Sequence, residues 1–203
     1  SLRDRIVRRS ERASLIARHV PKLTNLALTI GARPLKQVAG LSDLSRFPQH
    51  TFERRMRDLG IARFDGQEGV SHVLLADSFA GIFDVEVLVA AAALLRRSKV
   101  AFAWLPPMAN GKALDVRGFG AEHAAVKKEM RRRLDDIVRA GKVIVSVEPV
   151  ATTALKEACS EPGAVRSLDD ILAGLAGEGA LPRNQPAGTF RLLSHCPDGT
   201  AGR

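Results

Sequence analysis

The sequence predicts an α/β fold, a parallel sheet of about four strands flanked by helices and preceded by a basic helical arm. From Gly66 onward, apolar runs of strand type alternate with longer helical segments, and the connections between them are short. The charge is uneven, because residues 1–63 hold 14 Lys and Arg against 5 Asp and Glu. The whole formal net charge of +9 therefore lies in the first third of the chain.

Residues 1–65 are the predicted basic helical arm or linker. The helices expected there, each with one apolar face, are Leu2–Val20, residues 22–35 and Phe52–Leu59. Pro21 ends the first helix, and Gly31 and Pro34 end the second. Thr51 is the expected N-cap of the third helix, which Gly60 closes. Nothing in this segment alternates as a strand would.

Residues 66–203 are the predicted α/β domain of a cysteine-rich type. Its expected strands are VSHVLLADSF, KVAFAWLPP, KVIVSVEP and TFRLLSHC. Their apolar and β-branched content is typical of buried strands, and Pro106 and Pro107 are expected to end the second. Its expected helices are residues 84–98, Phe119–Ala140, residues 151–159 and Leu168–Leu175. The caps expected for the last two helices are Thr152 or Thr153, and Ser167.

Polar groups follow each predicted strand. They are Asp77 and Ser78, Pro106–Lys112, Glu148 and Pro149, and His195 and Cys196. In an open parallel sheet, ligands approach the carboxyl ends of the strands, so these groups belong to one candidate site. Each also has a structural interpretation: Asp77 as a helix cap or turn former, and Asn110–Lys112 as a turn that Gly111 permits. The proline after Glu148 holds that residue extended, which lets its carboxylate point to the edge.

His195 and Cys196 admit three interpretations: a nucleophile with its base, a metal site, or the end of a strand. Neighbouring residues on a strand point to opposite faces, which makes direct cooperation awkward. A metal or cluster generally needs about four ligands, and Cys159 is the only other cysteine. No Gly-x-Gly-x-x-Gly follows the first strand, which argues against the usual dinucleotide site.

Composition narrows the class of protein. No apolar run approaches the ~20 residues of a membrane helix, no signal peptide is visible, and two cysteines imply no disulfide framework. We therefore expect a cytoplasmic protein. The basic arm could attract nucleic acid through counterion release, or it could be a solvated face or dock on an acidic partner domain.

Three segments carry a resemblance to a known family. They are LLADSFAGIFDVEVLVAAAALLRR, LPPMANGKALDVRGFG and VSVEPVATTALKEA. In this order and spacing they resemble the C-terminal, cysteine-rich, Cys-Cys-Gly-type portion of bacterial FAD- and iron–sulfur-binding oxidoreductases of the D-2-hydroxyglutarate dehydrogenase or FAD-linked oxidase type. The resemblance covers roughly Pro34 to Gly199. Its most specific parts are Asp77–Phe79 with Asp84, Asn110–Lys112 with Gly118 and Phe119, and Ser194–Cys196.

The resemblance implies a protein that oxidises D-2-hydroxy acids, with an FAD domain and a ferredoxin-like cysteine cluster ahead of this part. With the strand-end argument, it makes Asp77, Asn110, Lys112 and His195 candidate cofactor-binding residues and Cys196 a candidate metal ligand. The catalytic residues are unknown. FAD and a 4Fe-4S cluster are implied for the full-length protein, and neither is assigned to this chain on its own.

No Cys-Cys-Gly motif follows before Arg203. The resemblance therefore implies a truncated fragment or a degenerate copy, which acts in electron transfer or domain packing and does not catalyse the reaction alone. Its expected partners are the FAD and ferredoxin-like domains of the same protein, and self-association is left open. The alternative is a non-catalytic interaction module whose basic arm binds an acidic partner or nucleic acid.

Overall fold

The computed structural model describes residues 2–39, 45–66, 68–179 and 181. The helices are α1 (Leu2–Ala17), α2 (Pro21–Ala39), α3 (Phe52–Asp58), α4 (Ala80–Phe83), α5 (Val85–Arg97), α6 (Lys112–Val116), α7 (Gly120–Arg139), α8 (Pro149–Ala158) and α9 (Leu168–Gly177). The strands are β1 (His72–Asp77), β2 (Phe102–Met108), β3 (Val143–Ser146) and β4 (Val165–Ser167). A single 3-10 turn, Pro162–Ala164, precedes β4.

The four described strands form one parallel sheet in the order β2-β1-β3-β4. The predicted fold class is therefore confirmed. β1 lies in the interior of the sheet, where its residues His72 to Leu74 pair with both neighbours. β2 forms one edge, which matters for the two prolines that it contains.

Alternating side chains of β1 face two separate cores. Leu74 and Ala76 pack with α3 and α5 on one face of the sheet, and Val73 and Leu75 pack with α7 and α8 on the other. The fully buried members of the first core include Phe52, Met56, Leu88 and Leu95; those of the second include Leu134, Ile137 and Ile144. The sheet is covered on both faces, as its continuous apolar strands predict.

Three predicted details are wrong. β2 continues through Pro106 and Pro107 to Met108, because an edge strand tolerates residues that cannot donate to a ladder. The pairing of β1 with β2 shifts register at this point, between Leu75 and Asp77. α2 continues past both Gly31 and Pro34 to Ala39, so neither residue ends the helix as predicted; an interior glycine costs about 1 kcal/mol and an interior proline about 3 kcal/mol relative to alanine, costs that the other residues of the helix can offset.

The third wrong detail is the cap of α8. Glu148, with φ −96° and ψ 125°, is the N-cap, and its carboxylate accepts from the N–H groups of Val150 and Ala151. Thr152 and Thr153 lie inside the helix, and their hydroxyls donate to the carbonyls of Glu148 and Pro149. Proline suits the first helical position because its missing N–H has no partner there, so the helix begins earlier than predicted.

Other predicted ends are confirmed. Thr51 caps α3 by accepting from the N–H of Arg54 at 3.3 Å, and Gly60 follows with φ +69°. Ser167 caps α9 in a reciprocal pair with Asp170. α4, α6 and β4 were not predicted from the sequence, and each has five residues or fewer. The predicted strand TFRLLSHC lies outside the described residues.

The first 65 residues contact the sheet domain at several points. α3 contributes Phe52 and Met56 to the first core. Arg18, directly after α1, forms a buried ion pair with Glu53 of α3, which is a contact within the first 65 residues. On α2, the Asn25 side chain bonds to both the N–H and the carbonyl of Phe47, each at 2.8 Å. The division into an arm and a domain at residue 65 stays a prediction.

Within the described part of the chain, no helix combines the length and the apolar character needed to cross a membrane.

Candidate functional site

The carboxyl ends of β1 and β3 form the crevice where a ligand is expected. These two strands are neighbours, yet the chain leaves them in different directions. After β1 it enters α4, whose Ala80 belongs to the first core; after β3 it enters α8, whose Leu155 belongs to the second. In doubly wound folds such a switch point opens a gap between the loops that follow the two strands. Asp77 and Glu148 lie at this gap.

Asp77 is buried, with 6% of its surface exposed. Its Oδ1 accepts from the N–H of Phe79 at 2.6 Å and of Ala80 at 3.0 Å, so the side chain forms the turn between β1 and α4. Burial raises the pKa of this carboxyl, and the negative charge of Glu148 acts in the same direction, while the two N–H groups oppose the shift. The geometry matches the turn-forming interpretation. The predicted cofactor-binding role stays a prediction.

Replacing Asp77 with asparagine is expected to stabilise the protein increasingly as the pH rises. The raised pKa means that the stability contributed by the protonated carboxyl is fully present below the ordinary aspartate pKa of 3.8 and is lost as the pH rises through the folded-state pKa. Asparagine keeps an acceptor oxygen and does not ionise. Urea unfolding of the wild type and of Asp77→Asn, at a series of pH values from below 3.8 upwards, measures the difference in unfolding free energy.

A difference in unfolding free energy that does not change with pH would contradict this explanation of Asp77. Asp77→Ala provides the control, because alanine loses both the charge and the acceptor for the N–H groups of Phe79 and Ala80. This variant is expected to be less stable than Asp77→Asn at every pH, since it leaves two N–H groups without their partner.

The loop after β2 contains Asn110 and Lys112. Its turn requires a left-handed residue, which Gly111 supplies with φ +69°. The Asn110 Oδ1 accepts from the N–H of Lys112 at 2.9 Å, and the Lys112 ammonium pairs with Asp115 at 3.3 Å. Both predicted residues therefore have partners within their own loop. Their assignment to a cofactor stays a prediction.

Glu11 of α1 joins the loops after β1 and β2, and the sequence analysis missed it. Its Oε1 accepts from the Ser78 hydroxyl at 2.6 Å and from the N–H of Asn110 at 2.8 Å. Its Oε2 accepts from the N–H of Gly111 at 3.1 Å. A carboxylate thus lies among three donors at the strand ends. The one signal available in the sequence was an acidic residue within a run of arginines.

The cysteines divide between the described and undescribed parts of the chain. Cys159 is 5% exposed, its thiol contacts the carbonyl of Glu161 at 3.3 Å, and burial raises its pKa. A neutral buried thiol is neither a ready nucleophile nor a ready metal ligand. Among the described residues, no group of three or more His, Cys, Asp and Glu side chains could hold a metal ion. His195 and Cys196 lie outside the described residues.

Comparison with known proteins gives one informative similarity. Over 135 residues the chain is 29% identical to D-2-hydroxyglutarate dehydrogenase of Pseudomonas putida. The match covers 64% of this chain, and the aligned part spans 13% of that relative's length. No protein-family model matches the chain. No solved structure matches it either.

This similarity has a defined extent. It supports the predicted relationship to an oxidoreductase of the D-2-hydroxyglutarate dehydrogenase type. The cysteine-rich, Cys-Cys-Gly-type assignment, the cofactors and the role of this part within the longer relative stay predictions. The chain is thus similar, over part of its length, to a segment of a much longer oxidoreductase.

Proposed function

We propose that this chain is a domain of an FAD- and iron–sulfur-dependent oxidoreductase that oxidises D-2-hydroxy acids, and that it acts there by packing against the other domains. Support for the enzyme class comes from the similarity to D-2-hydroxyglutarate dehydrogenase, of which the chain covers 13%. A relative so much longer than this chain supplies further domains as partners. The chemistry belongs to those domains, and this one supports their arrangement.

The observation that carries the packing role is an exposed apolar face on α2. Leu23, Leu26 and Ile30 are 66%, 57% and 75% exposed. Their spacing of three and four residues places them on one side of the helix. Ile16 and Val20, at the junction of α1 and α2, are also more than half exposed. Several large exposed apolar side chains on one side of a helix indicate an interaction surface, whereas single scattered ones do not.

Cys159 fits the same role. It is the cysteine among the described residues, and its buried thiol belongs to the second core with Leu155 and Val165. A cluster ligand must be a thiolate, whereas this environment favours the neutral form. The described side chains therefore do not fit an iron–sulfur cluster. In the proposed enzyme, ligands for a cluster come from Cys196 or from the other domains.

Replacing Leu26 with glutamate in the full-length oxidoreductase is expected to loosen this domain. Burying one leucine stabilises an interface by about 1.5–3 kcal/mol, so its loss weakens docking by about tenfold or more. Limited proteolysis is expected to release the domain faster from Leu26→Glu than from the wild type. Leu94→Glu, on the exposed side of α5, is the matched control and should behave as the wild type does.

Equal release of the domain from the two variants would remove the packing role and leave the enzyme class untouched. The class has its own test in the reading frame that encodes this chain. Codons for a Cys-x-x-Cys-x-x-Cys cluster upstream and for Cys-Cys-Gly downstream are expected. A frame that encodes neither motif contradicts the relationship to this type of oxidoreductase.

Electron transfer through this domain is the competing role, and reconstitution distinguishes it from packing. The chain is expressed anaerobically with iron and sulfide, and its visible absorption and electron spin resonance spectra are recorded. Packing alone predicts no stoichiometric cluster. A cluster that Cys196→Ala removes would instead assign the domain to electron transfer.

A further inference from the structure

Three hydrogen-bond donors at the strand ends surround one carboxylate. They are the Ser78 hydroxyl after β1 and the N–H groups of Asn110 and Gly111 after β2, and we call them the carboxylate cradle. The carboxylate that lies in the cradle is that of Glu11, from α1, about 100 positions away from the loop after β2. The donors therefore come from two different strand ends, and the acceptor comes from a third element.

The cradle is held in place by features that a loose surface loop lacks. Ser78 is 8% exposed, so its hydroxyl has little access to water as an alternative partner. Gly111 has φ +69°, and a Cβ there would lie 3.0 Å from the His123 ring and 3.3 Å from Val126. Only glycine fits both the conformation and the space. The orientation of the N–H groups is thus set by tight packing against α7.

A cavity of about 190 Å³ with mostly apolar walls lies next to the loop that carries the cradle, since Ala109 of that loop lines it. Its walls include Leu15 of α1, Met108 of β2, and Val126 and Met130 of α7. Val126 connects the two features, because it lies against Gly111 and also lines the cavity. Arg12, Glu129 and Arg133 also line the cavity, and the Glu129 carboxylate pairs with the Arg133 guanidinium at 3.0 Å. The volume is below the ~300 Å³ of a usual small-molecule pocket, so it suits only a short tail.

We propose that the cradle and the adjoining cavity are a binding site for a short-chain monocarboxylate, and that the Glu11 side chain occupies the anion position until such a ligand displaces it. The ligand's carboxylate accepts from Ser78, Asn110 and Gly111, and its aliphatic tail enters the cavity between Met108 and Met130. Glu11 is partly exposed, so its side chain can turn to solvent without moving α1. This site is independent of the proposed packing role, which rests on α2.

When the Glu11 side chain leaves the cradle, the three donors need another acceptor. A buried hydroxyl or N–H without a partner is unfavourable, and hydrogen bonds to an ionised acceptor are stronger than those to a neutral one. A carboxylate satisfies all three donors at once, as Glu11 does. The apolar walls of the cavity also favour a ligand with an aliphatic tail, because each buried methylene removes apolar surface from water.

The test removes the internal carboxylate and supplies an external one. In Glu11→Ala, butyrate is expected to shift the backbone amide resonances of Asn110 and Gly111, with affinity about tenfold above that of acetate because butyrate adds two methylenes. The wild type should bind butyrate more weakly than Glu11→Ala, since its own side chain competes. Butanol, which has the tail and no charge, should give no saturable shift.

Two further variants test whether butyrate binding depends on Glu11 itself. Glu11→Gln retains the length and an acceptor oxygen, so it covers the case in which Glu11→Ala does not fold, and it should bind butyrate more tightly than the wild type. Glu122→Ala is the matched control, because it removes a different carboxylate, one that pairs with Arg8 of α1 at 3.0 Å, and leaves Glu11 in the cradle. It should bind as the wild type does.

Several results would overturn the site. Folded Glu11→Ala and Glu11→Gln whose Asn110 and Gly111 resonances ignore butyrate would show that the cradle does not bind a free carboxylate. Equal binding by Glu122→Ala and Glu11→Ala would attribute it to loosening of α1. If butanol bound as tightly as butyrate, the cavity would bind apolar tails and the cradle would not be an anion site.

Discussion

Replacing Phe52 with alanine is expected to lower the free energy of unfolding by about 3–5 kcal/mol. The ring is fully buried in the first core and meets Trp104 edge to face, with 5.6 Å between the ring centroids. Alanine loses this contact and leaves a cavity that the sheet and α5 can fill only in part. Urea unfolding followed by the fluorescence of Trp104, the chain's single tryptophan, measures the loss.

Phe79→Ala is the control for this experiment. Phe79 is 61% exposed on the loop after β1, where its ring lies 5.7 Å from that of Phe83. We expect a change within about 0.5 kcal/mol, as for most surface positions. A cost for Phe52→Ala as small as that for Phe79→Ala would show that α3 does not fold with the sheet. The result thus also tests the predicted division at residue 65.

Gly81→Ala is the second substitution expected to have a large effect. A Cβ at this position of α4 would lie 2.3 Å from Cγ and 2.7 Å from Cβ of Pro107, distances that force a shift. Pro107 belongs to β2 and its ring is rigid, so either the helix or the strand must move. Overpacking of this kind costs about 1–3 kcal/mol, which thermal or urea unfolding will show.

Gly174→Ala is the matched control for Gly81→Ala. Gly174 lies inside α9, and among the described residues no atom outside the helix's own backbone lies within 4 Å of the Cβ that alanine would add there. Alanine is the better helix former by about 0.8–1 kcal/mol, so this substitution is expected to stabilise the protein. If Gly81→Ala left the stability unchanged or raised it, this result would contradict the close approach of α4 to β2.

Part of the basic charge of the first third is used within the molecule. Arg18 is buried against Glu53, and Arg8 pairs with Glu122 while its guanidinium lies 4.4 Å above the Phe119 ring. Glu53 and Glu122 belong to α3 and α7, so these contacts tie α1 to two other helices. Composition alone suggested an arm whose charges serve an external partner. At these positions the charges instead pair within the molecule: Arg18 with a residue of the predicted arm itself, and Arg8 with Glu122 of the predicted α/β domain.

The elements predicted well are those whose signals are local. β1 and β3 are short and apolar, β3 is also rich in β-branched residues, and α5 and α7 are long with strong helix formers. The Ser167 cap rests on four consecutive positions, so it too could be predicted from the sequence. In each case the preference of the segment and its place in the fold agree.

The elements predicted poorly depend on their neighbours. Pro106 and Pro107 end a strand in most settings, and β2 contains them because it lies at an edge of the sheet. β4 has three residues, too few for an alternating pattern, and it exists as a strand because it pairs with β3. The sequence carried no information on either pairing.

The candidate site divides in the same way. The rule for parallel sheets placed Asp77, Asn110 and Glu148 at the carboxyl ends of their strands, and the structure has them there. Which of these groups share a hydrogen bond could not be predicted from the sequence. Glu11 reaches Ser78 and Gly111 because α1 packs beside α6, a contact between segments about 100 residues apart.

The sequence by itself determined the α/β class, most of the helices and strands, and the edge of the sheet where polar groups gather. Those features follow from periodicity and residue preference within short windows. Only the tertiary structure decided that Glu11 fills the carboxylate cradle, that Arg18 is buried against Glu53, and that Gly81 touches Pro107. The physical reason is that hydrogen bonds and van der Waals contacts act over a few ångströms, so partners distant in sequence meet only once the sheet has brought them together.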